Sequence, residues 1–330
     1  MKFFIWKYNP TIIHISSFEN ITIIIPKAQK DEYIQKNIHN FIAANSIDFE
    51  NVYNIMKIQE VKNAVIDDIF TLDEQCMDWV GILKQLFVKK KSKISDVLFK
   101  DKYYMRSLLK EVVREPYFVN VTEDNYDKIK ISEGIVKPRR ADSAKGLYRF
   151  AGKIDYDKLR NLIGYTGEDE YIAEEYINYD KMFTVDGYTD LDGHERYFSH
   201  EYDRKISDFK LNPYMTAYTN HFYYTDKNKL KDLFRLSKKV IEALATRGEI
   251  TPFHIEWFYI EKEDKFVVTE IGKRFGGVRI PELIKNSFDI DIIKEYWALQ
   301  QGHVNDISSG IVYTPKGVLH LIYNLKMDKK

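Results

Sequence analysis

The sequence has one cysteine, Cys76, and no excess charge of either sign, because 50 lysines and arginines balance 50 aspartates and glutamates. A single cysteine excludes an intramolecular disulfide and suits a reducing compartment, so we expect a cytoplasmic protein. The balanced charge provides no basic field, so nothing supports binding to nucleic acid or to a membrane surface. No apolar run reaches about 18 residues, and no membrane span is therefore expected.

Two further signals are missing. The first segment, MKFFIWKYNP, has too short an apolar core for a signal peptide and no cleavage site of small residues. The glycines form no GxGxxG motif, so a dinucleotide site has no support. What is present is 330 residues, of which 44% are hydrophobic and 30% charged, and this predicts a folded protein of two or three domains.

The first hundred residues alternate between two kinds of apolar segment. Residues 21–27 and 63–70 are short and rich in β-branched side chains, which predicts strands. Residues 31–45 and 73–87 have apolar side chains at helical spacing. The alternation predicts a small α/β domain with a mostly parallel sheet.

The rest of the chain contains more predicted strands than helices. The clearest helix is predicted over 226–248, where an apolar stripe ends near Gly248 as a C-cap. Residues 95–112 form another helix-spaced segment, and a polar loop at 139–146 lies between two predicted strands as the tip of a hairpin. The predicted strands are 117–122, 128–138, 147–151, 171–177, 181–189 and 317–326.

One predicted hairpin contains two acids within apolar strands, in the segment HIEWFYIEKEDKFVVTEIGKRFGG (254–277). Pairing centred on Glu263 places Glu256 opposite Glu270 on one face, with Cβ atoms about 5 Å apart. Two such carboxylates repel each other unless a positive charge lies between them, and Mg²⁺ prefers oxygen ligands. Arg274 shares that face if the strand continues. The alternative is that both acids face solvent.

A second group of residues has the composition of a phosphate site. Lys137 ends a predicted strand, and Ser143, Lys145 and Gly146 follow in the polar loop. Backbone amides of small residues together with lysine ammonium groups can hold phosphate. The strand at 174–177 has edge backbone groups that suit an adenine ring. Taken singly, however, the lysines are typical of a surface loop and the strand of an ordinary sheet.

Taken in order, six segments resemble the ATP-grasp superfamily, closest to its carboxylate–amine ligase branch, which includes L-amino acid and dipeptide ligases. They are KDKYYMR (100–106), IVKPRRADSAKG (135–146), AEEYI (173–177), FTVDGY (183–188), HIEW (254–257) and EIGKRFGG (270–277). The resemblance implies an α/β and α+β chain: an N-terminal α/β domain (1–94), a lid-containing ATP-grasp subdomain (95–173) and a C-terminal catalytic subdomain (174–330).

The resemblance also implies roles for individual residues, with ATP and Mg²⁺ as cofactors. Arg274 would hold the transferring phosphoryl group or a substrate carboxylate, and His254 would line the substrate pocket. The residues implied to bind ATP are Lys102, Lys137, Ser143, Lys145, Gly146, Glu174, Glu175, Tyr176, Ile177 and, at the ribose, Asp180. Glu256 and Glu270 would ligate the metal, Lys137 and Arg274 would be catalytic, and Gly276, Gly277 and Arg279 would adjoin the substrate.

The sequence departs from the family pattern at one metal position. An asparagine usually follows the second glutamate by two residues, and here that position is Gly272. Whether one or two ions bind is therefore left open, and Mn²⁺ is an alternative to Mg²⁺. The family also usually has a glutamate that binds the ribose hydroxyls of the nucleotide. This sequence lacks it, and Asp180 is the residue nearest to its position.

The implied reaction joins a small-molecule carboxylate to an amine. ATP converts the carboxylate to an acyl phosphate, and attack by the amine releases phosphate and leaves an amide. Candidate bases for the amine are His200, His254 and Asp186, none of which is marked by its spacing. The alternatives are an ATP-grasp enzyme with a carrier-protein or peptide acceptor and an ATP-binding protein without catalysis. A homodimer is also possible.

Overall fold

Three β-sheets form the framework of the protein, which is described here from a computed structural model. The structure describes residues 1–88, 95–122, 124–141, 146–155, 157–161, 170–205, 214–277, 279–303, 313–317 and 320–324. The strands are β1 (Lys2–Ile5), β2 (Ile21–Pro26), β3 (Phe41–Ala44), β4 (Asp68–Thr71), β5 (Phe118–Val121), β6 (Glu133–Pro138), β7 (Tyr148–Ala151), β8 (Tyr171–Glu175), β9 (Lys181–Thr189), β10 (Glu195–Tyr202), β11 (Tyr214–Thr219), β12 (Thr251–Ile260), β13 (Lys265–Gly272) and β14 (His320–Asn324).

Helices cover the faces of these sheets. They are α1 (Lys30–Gln35), α2 (Phe49–Val61), α3 (Met77–Phe87), α4 (Ser95–Lys100), α5 (Lys102–Leu109), α6 (Phe222–Thr225), α7 (Lys227–Leu244), α8 (Ile280–Phe288) and α9 (Ile292–Gln300). Among the helices that the structure describes, none is both long enough and apolar enough to cross a membrane.

The first sheet is parallel, in the order β3-β2-β1-β4, which confirms the α/β prediction for the start of the chain. Phe3 and Ile5 pack on one face with residues of α2 and α3. On the other face Phe4 contacts Trp297 of α9, edge to face, with ring centroids 5.0 Å apart. A helix near residue 300 therefore completes the core of the first sheet. Strand β1 was not predicted, although it lies inside this sheet.

The second sheet is antiparallel, in the order β5-β8-β6-β7. Strands β6 and β7 pair from Glu133↔Ala151 to Val136↔Tyr148, so the predicted hairpin around residues 139–146 is confirmed. Ser143 and Lys145 lie outside the described residues. Strand β8 crosses the predicted boundary at 173/174, and the three-domain division stays a prediction.

The third sheet is antiparallel, in the order β13-β12-β9-β10-β11-β14. Helix α7 packs its predicted apolar stripe, which includes Leu230, Leu233 and Val240, against this sheet. Each fully buried leucine of this kind contributes about 1.5–3 kcal/mol to stability. Trp257 of β12 faces the same helix, because its indole N–H donates to Ser237 Oγ at 3.1 Å. The opposite face of the sheet is therefore left for the two acids.

All four predicted helices differ from the observed ones, and the one predicted over 73–87 begins only at Met77. The helix predicted over 31–45 is wrong beyond Gln35, because Asn37 adopts a left-handed conformation (φ 59°) and the chain pairs with β2 as β3. The helix predicted over 95–112 is divided at Asp101, whose carboxylate caps α5. Helix α7 ends at Leu244 rather than Gly248, since Ala245 is already extended.

Two predicted strands start later than expected. Strand β4 begins at Asp68 rather than at 63, and β6 begins at Glu133 rather than at 128. The residues before each strand have no ladder partner in the described sheets, so pairing rather than composition sets these starts.

A β-bulge sets the register of the acid-bearing hairpin. Near the turn Ile260 pairs with Lys265 and Trp257 with Val268, whereas Glu256 pairs with Glu270. Thr269 is the extra residue on β13. The predicted pairing of Glu256 with Glu270 is confirmed, but the uniform register centred on Glu263 is wrong near the turn. Without the bulge, Glu256 would face Thr269.

Arg106 of α5 holds the bulge in place. Its guanidinium donates to the carbonyl oxygens of Val268 (2.9 Å) and Thr269 (2.7 Å), and its Nε donates to Glu174 Oε1 (2.9 Å). These bonds satisfy backbone groups on the outer edge of β13, where no further strand is paired among the described residues. The buried guanidinium thus connects α5, β8 and β13.

Replacing Arg106 by methionine should destabilise the protein by about 3–5 kcal/mol, because it leaves the Glu174 carboxylate with one fewer charge partner and two carbonyls unpaired. The measurement is the free energy of unfolding in urea. The matched control is Arg235→Met on the exposed side of α7, where the pair with Asp232 is solvent-exposed and the change should stay within about 0.5 kcal/mol. Equal effects of the two substitutions would contradict the role of Arg106.

Candidate functional site

The two acids of the hairpin open onto a small polar cavity. Its volume is about 120 Å³, and its lining residues are Glu74, His254, Glu256, Glu270, Ile271, Gly272 and Arg274. Glu256 and Glu270 are cross-strand partners on β12 and β13, so both side chains leave the same face of the sheet. The structure therefore brings together four of the residues predicted for the metal and the substrate.

Basic side chains approach the acid pair from two directions. Lys102, the first residue of α5, has its ammonium nitrogen 3.7 Å from Glu270 Oε1. Arg274 follows β13 and lines the cavity. A Cβ atom on Gly272 would lie 3.3 Å from Arg274 Cγ, so the arginine side chain lies against the position where the family pattern has asparagine.

Lys137 and Glu174 form a buried ion pair behind the acids. Lys137 Nζ lies 2.8 Å from Glu174 Oε2, and Arg106 binds the other carboxylate oxygen. Burial opposes ionisation of Glu174, but the charges of Arg106 and Lys137 outweigh it and lower the Glu174 pKa to about 2. Burial also lowers the pKa of Lys137, although Glu174 acts in the other direction.

The residues after Glu174 lie at the end of β8. Glu175 is exposed and accepts a hydrogen bond from the Tyr117 N–H (2.9 Å), and the guanidinium of Arg149 lies 3.7 Å above the Tyr176 ring. Ile177 is half-buried. Asp180 is exposed and accepts from the Glu261 N–H (2.8 Å), which ties it to the hairpin turn. The nucleotide roles of these residues stay predictions.

A buried carboxylate behind the cavity organises His254. Asp186 on β9 is fully buried and lies 2.7 Å from His254 Nδ1, while Thr184 Oγ1 and the Gly276 N–H donate to it at 2.8 and 3.1 Å. Burial works against charge on both members of the pair. Their mutual attraction nevertheless lowers the pKa of Asp186 and raises that of His254 to about 9.

The other ring nitrogen of His254 faces the acid pair, with Nε2 3.4 Å from Glu256 Oε1. His200 approaches Asp186 less closely, at 3.7 Å from Oδ2. Within the described residues, neither ring nitrogen of His200 has a hydrogen-bond partner. Of the three candidate bases, only His254 lines the cavity.

Glu74 is the charged residue of the cavity lining that the sequence analysis missed. It lies in the turn after β4, and its Oε2 accepts from Arg274 Nε at 2.7 Å. Burial opposes its ionisation, but Arg274 and Lys100 lower its pKa. A signal was available, because ligands of α/β domains bind beyond the carboxyl ends of parallel strands and Glu74 follows such a strand.

Most of the other predicted site residues do not line the cavity, and Arg279, Gly277 and Gly146 are three of them. Arg279 is at the N-cap of α8, with its side chain 70% exposed and paired with Glu282. Gly277 is exposed, and Gly146 adopts a positive φ of 71° at the end of the polar loop. Ser143 and Lys145, which precede Gly146, are not among the described residues.

Most of the chain is similar in structure to several solved enzymes. An L-amino acid ligase from Bacillus licheniformis is 15% identical, with a TM-score of 0.69 over 93% of this chain and 77% of that one. The N5-carboxyaminoimidazole synthetase from Staphylococcus aureus, complexed with ADP, is 14% identical, with a TM-score of 0.66 over 92% and 78%. A biotin carboxylase–β-γ-ATP complex from Campylobacter jejuni is 15% identical, with a TM-score of 0.68 over 97% and 74%.

The chain has the ATP-grasp fold. No protein-family model and no curated protein matches its sequence. At identities of 15% and below, the likeness shows the ATP-grasp fold alone.

Gly276 and Gly277 offer a matched test of the packing around Asp186 in this ATP-grasp chain. A Cβ atom at Gly276 would lie 2.4 Å from Asp186 Oδ1 and 2.9 Å from Ile280 Cβ, whereas one at Gly277 has no atom within 4 Å. Gly276→Ala should therefore destabilise the protein by about 1–3 kcal/mol, and Gly277→Ala should not. The measurement is urea unfolding, and equal stability of the two variants would contradict this packing.

The buried Glu174 should contribute a pH-dependent term to stability. Its folded-state pKa is lowered, so its contribution is fully present above about pH 5 and is lost as the pH falls towards 2. The difference in unfolding free energy between the wild type and Glu174→Gln should accordingly shrink over that window. Urea unfolding from pH 7 to pH 2.5 measures it, and a difference that is independent of pH would refute the ionised pair.

Proposed function

We propose that this chain is an ATP-dependent carboxylate–amine ligase that forms an amide or peptide bond through an acyl phosphate and releases ADP and phosphate. The observation that carries the proposal is the facing pair of Glu256 and Glu270 on one cavity, with Lys102 beside it and Arg274 in its lining. A carboxylate is a poor electrophile, whereas an acyl phosphate has a good leaving group. Both steps bring anions together and require fixed positive charge.

The donor set suits a divalent cation. Glu256 and Glu270 provide hard oxygen ligands on one face of the sheet, and Glu270 keeps 39% of its side chain accessible beside the cavity. When bound, Mg²⁺ neutralises charge on the phosphates and orients their oxygens. Mn²⁺ accepts the same ligands. Gly272 offers no side-chain ligand, so the number of ions is not decided by these two acids.

The basic residues have separate tasks in the proposed reaction. Lys102 and Lys137 would hold ATP phosphates, and Arg274 would hold the transferring phosphoryl group or the substrate carboxylate. Lys137 and Arg274 each already neutralise an acid, Glu174 and Glu74 respectively. An incoming phosphate would therefore meet side chains that are already oriented, which lowers the ordering cost of binding.

We infer that both substrates are small molecules. An L-amino acid ligase and an N5-carboxyaminoimidazole synthetase are among the structures that the chain resembles, which favours a small carboxylate and a small amine as substrates. The cavity beside the acid pair, at about 120 Å³, is of a size for a few atoms of such a substrate. The cytoplasmic location expected from the single cysteine, Cys76, is part of the same proposal.

Glu270→Gln should reduce ligase turnover by about 10²–10³ or more while leaving the fold intact, because it removes a charge without changing side-chain volume. The assay is phosphate release from ATP and Mg²⁺ with pools of amino acids and other small carboxylates, together with mass spectrometry of the amide product. The matched control is Glu261→Gln on the exposed turn of the same hairpin, which should keep wild-type turnover.

Two outcomes would contradict the proposal. Normal turnover of the Glu270→Gln variant would show that Glu270 is not a required metal ligand. If the wild type binds ADP but releases no phosphate with any pool, it is not a ligase of these small molecules. That result would indicate a macromolecular acceptor or a protein that only binds nucleotide.

A further inference from the structure

Glu115 is an acid whose carboxyl group is buried without a hydrogen bond to any residue that the structure describes. Its side chain is 6% exposed, and both of its carboxylate oxygens are buried and unpartnered. The closest cation is Arg106, whose Nη1 lies 3.7 Å from Glu115 Oε2, which is too far for a hydrogen bond. A buried carboxylate without hydrogen bonds is costly when it is ionised, so this position favours the protonated form.

The other bonds of Arg106 direct its charge away from this acid. Its Nε donates to Glu174, and its two terminal nitrogens donate to the carbonyl oxygens of Val268 and Thr269. These bonds hold the bulge of β13 and the carboxylate of β8. Glu115 therefore shares a guanidinium that is already bonded to other groups.

The segment 114–117, which carries the acid, joins the second sheet to the third. The Val268 N–H of β13 donates to the Arg114 carbonyl (3.0 Å), and the Glu175 N–H of β8 donates to the Tyr117 carbonyl (2.9 Å). The acid thus lies between the strand that ends at the predicted adenine site and the strand that carries one acid of the facing pair.

Four ionisable side chains follow one another behind the cavity. In order of contact they are Glu115, Arg106, Glu174 and Lys137. Two cations and one acid leave one net positive charge when Glu115 is protonated, and ionisation of Glu115 cancels it. Lys110 of α5 also faces Glu115, whereas Arg114 pairs with Glu263 at the surface.

The surroundings of Glu115 bring its ionisation close to neutral pH. Burial raises the pKa of Glu115 to about 7, against the opposing effect of the Arg106 charge. The charge of Glu174 adds to the rise, and that of Lys110 acts against it. The net charge of the four side chains therefore changes near neutrality.

We propose that Glu115 is a positioning residue that couples nucleotide binding at Lys137 to the uptake of a proton. The inference rests on the proposed function, in which Lys137 holds an ATP phosphate. A protonated Glu115 leaves one net positive charge to attract the phosphate, whereas an ionised Glu115 neutralises that charge within the protein. Phosphate binding in turn favours the protonated form, because coupling between two binding equilibria is reciprocal.

Calorimetric titration of the full chain with a non-hydrolysable ATP analogue and excess Mg²⁺ tests the coupling. Relative to Glu115→Gln, the wild type should lose about 5–10-fold in affinity between about pH 6 and about pH 8.5. The amide is uncharged throughout this range, so the comparison removes the titration of the nucleotide and of Lys137. The matched control is Glu111→Gln, an exposed acid just after α5, which should follow the wild type.

The same titrations in buffers of different ionisation enthalpy count the protons that are exchanged. At about pH 7 the wild type should take up a fraction of a proton more per nucleotide than Glu115→Gln. A purely structural role of Glu115 would change the affinity equally at every pH and would leave the proton count unchanged.

Urea unfolding without nucleotide shows whether Glu115 titrates in the folded protein. Its folded-state pKa is raised, so its contribution to stability is fully present below about pH 4 and is lost as the pH rises to about 7. The wild type should therefore lose stability relative to Glu115→Gln over that window and level off above it. If Glu115→Gln does not fold, Glu115→Met, which is also uncharged, takes its place in every comparison.

The outcomes separate the inference from the function on which it rests. If the wild type and Glu115→Gln bind the analogue with the same pH dependence and the same proton count, the coupling is wrong while nucleotide binding stands. If the wild type binds no nucleotide at any pH, the proposed function and the coupling fail together, whatever the unfolding curves show.

Discussion

The Arg106 guanidinium holds an irregular strand edge on which the geometry of the site depends. It donates to two successive carbonyls of β13, those of Val268 and Thr269, at the point where the strand accommodates one extra residue. A shift of one residue moves every side chain of a strand to the opposite face. The bulge therefore decides that Glu270 faces Glu256, and the same guanidinium anchors Glu174 behind Lys137.

Buried charge is costly unless it is paired, and this chain pairs it between segments that are remote in sequence. Lys273, just after β13, bonds Asp96 of α4 and Glu249 before β12, and Lys84 of α3 binds the same glutamate. These contacts join the parallel sheet to the third sheet. They also place the turn after β4 beside the hairpin, so that Glu74 reaches the cavity and Arg274.

Local sequence patterns predicted the secondary structure and the buried face correctly where the periodicity of a segment matches its burial in the fold. The stripe of α7 and the alternation of Trp257 away from Glu256 are such cases. The patterns failed where pairing with another strand competes with helix formation. Phe41, for example, lies in a segment with helical spacing but pairs with β2. The symmetric hairpin register predicted the correct acid pair although the turn is one residue shorter than assumed, because the bulge at Thr269 compensates.

The sequence by itself determined the α/β character of the start of the chain, the hairpin with its two acids, and the residues that resemble an ATP-grasp site. The first two depend on composition and on periods of two or 3.6 residues, which act over one element, and the third depends on the order of six short motifs. Only the tertiary structure decided that Asp186 meets His254, that Arg106 supports the bulge and that Glu74 lines the cavity. Such pairs are distant along the chain, and sheet order and helix packing bring them together, which no local pattern encodes.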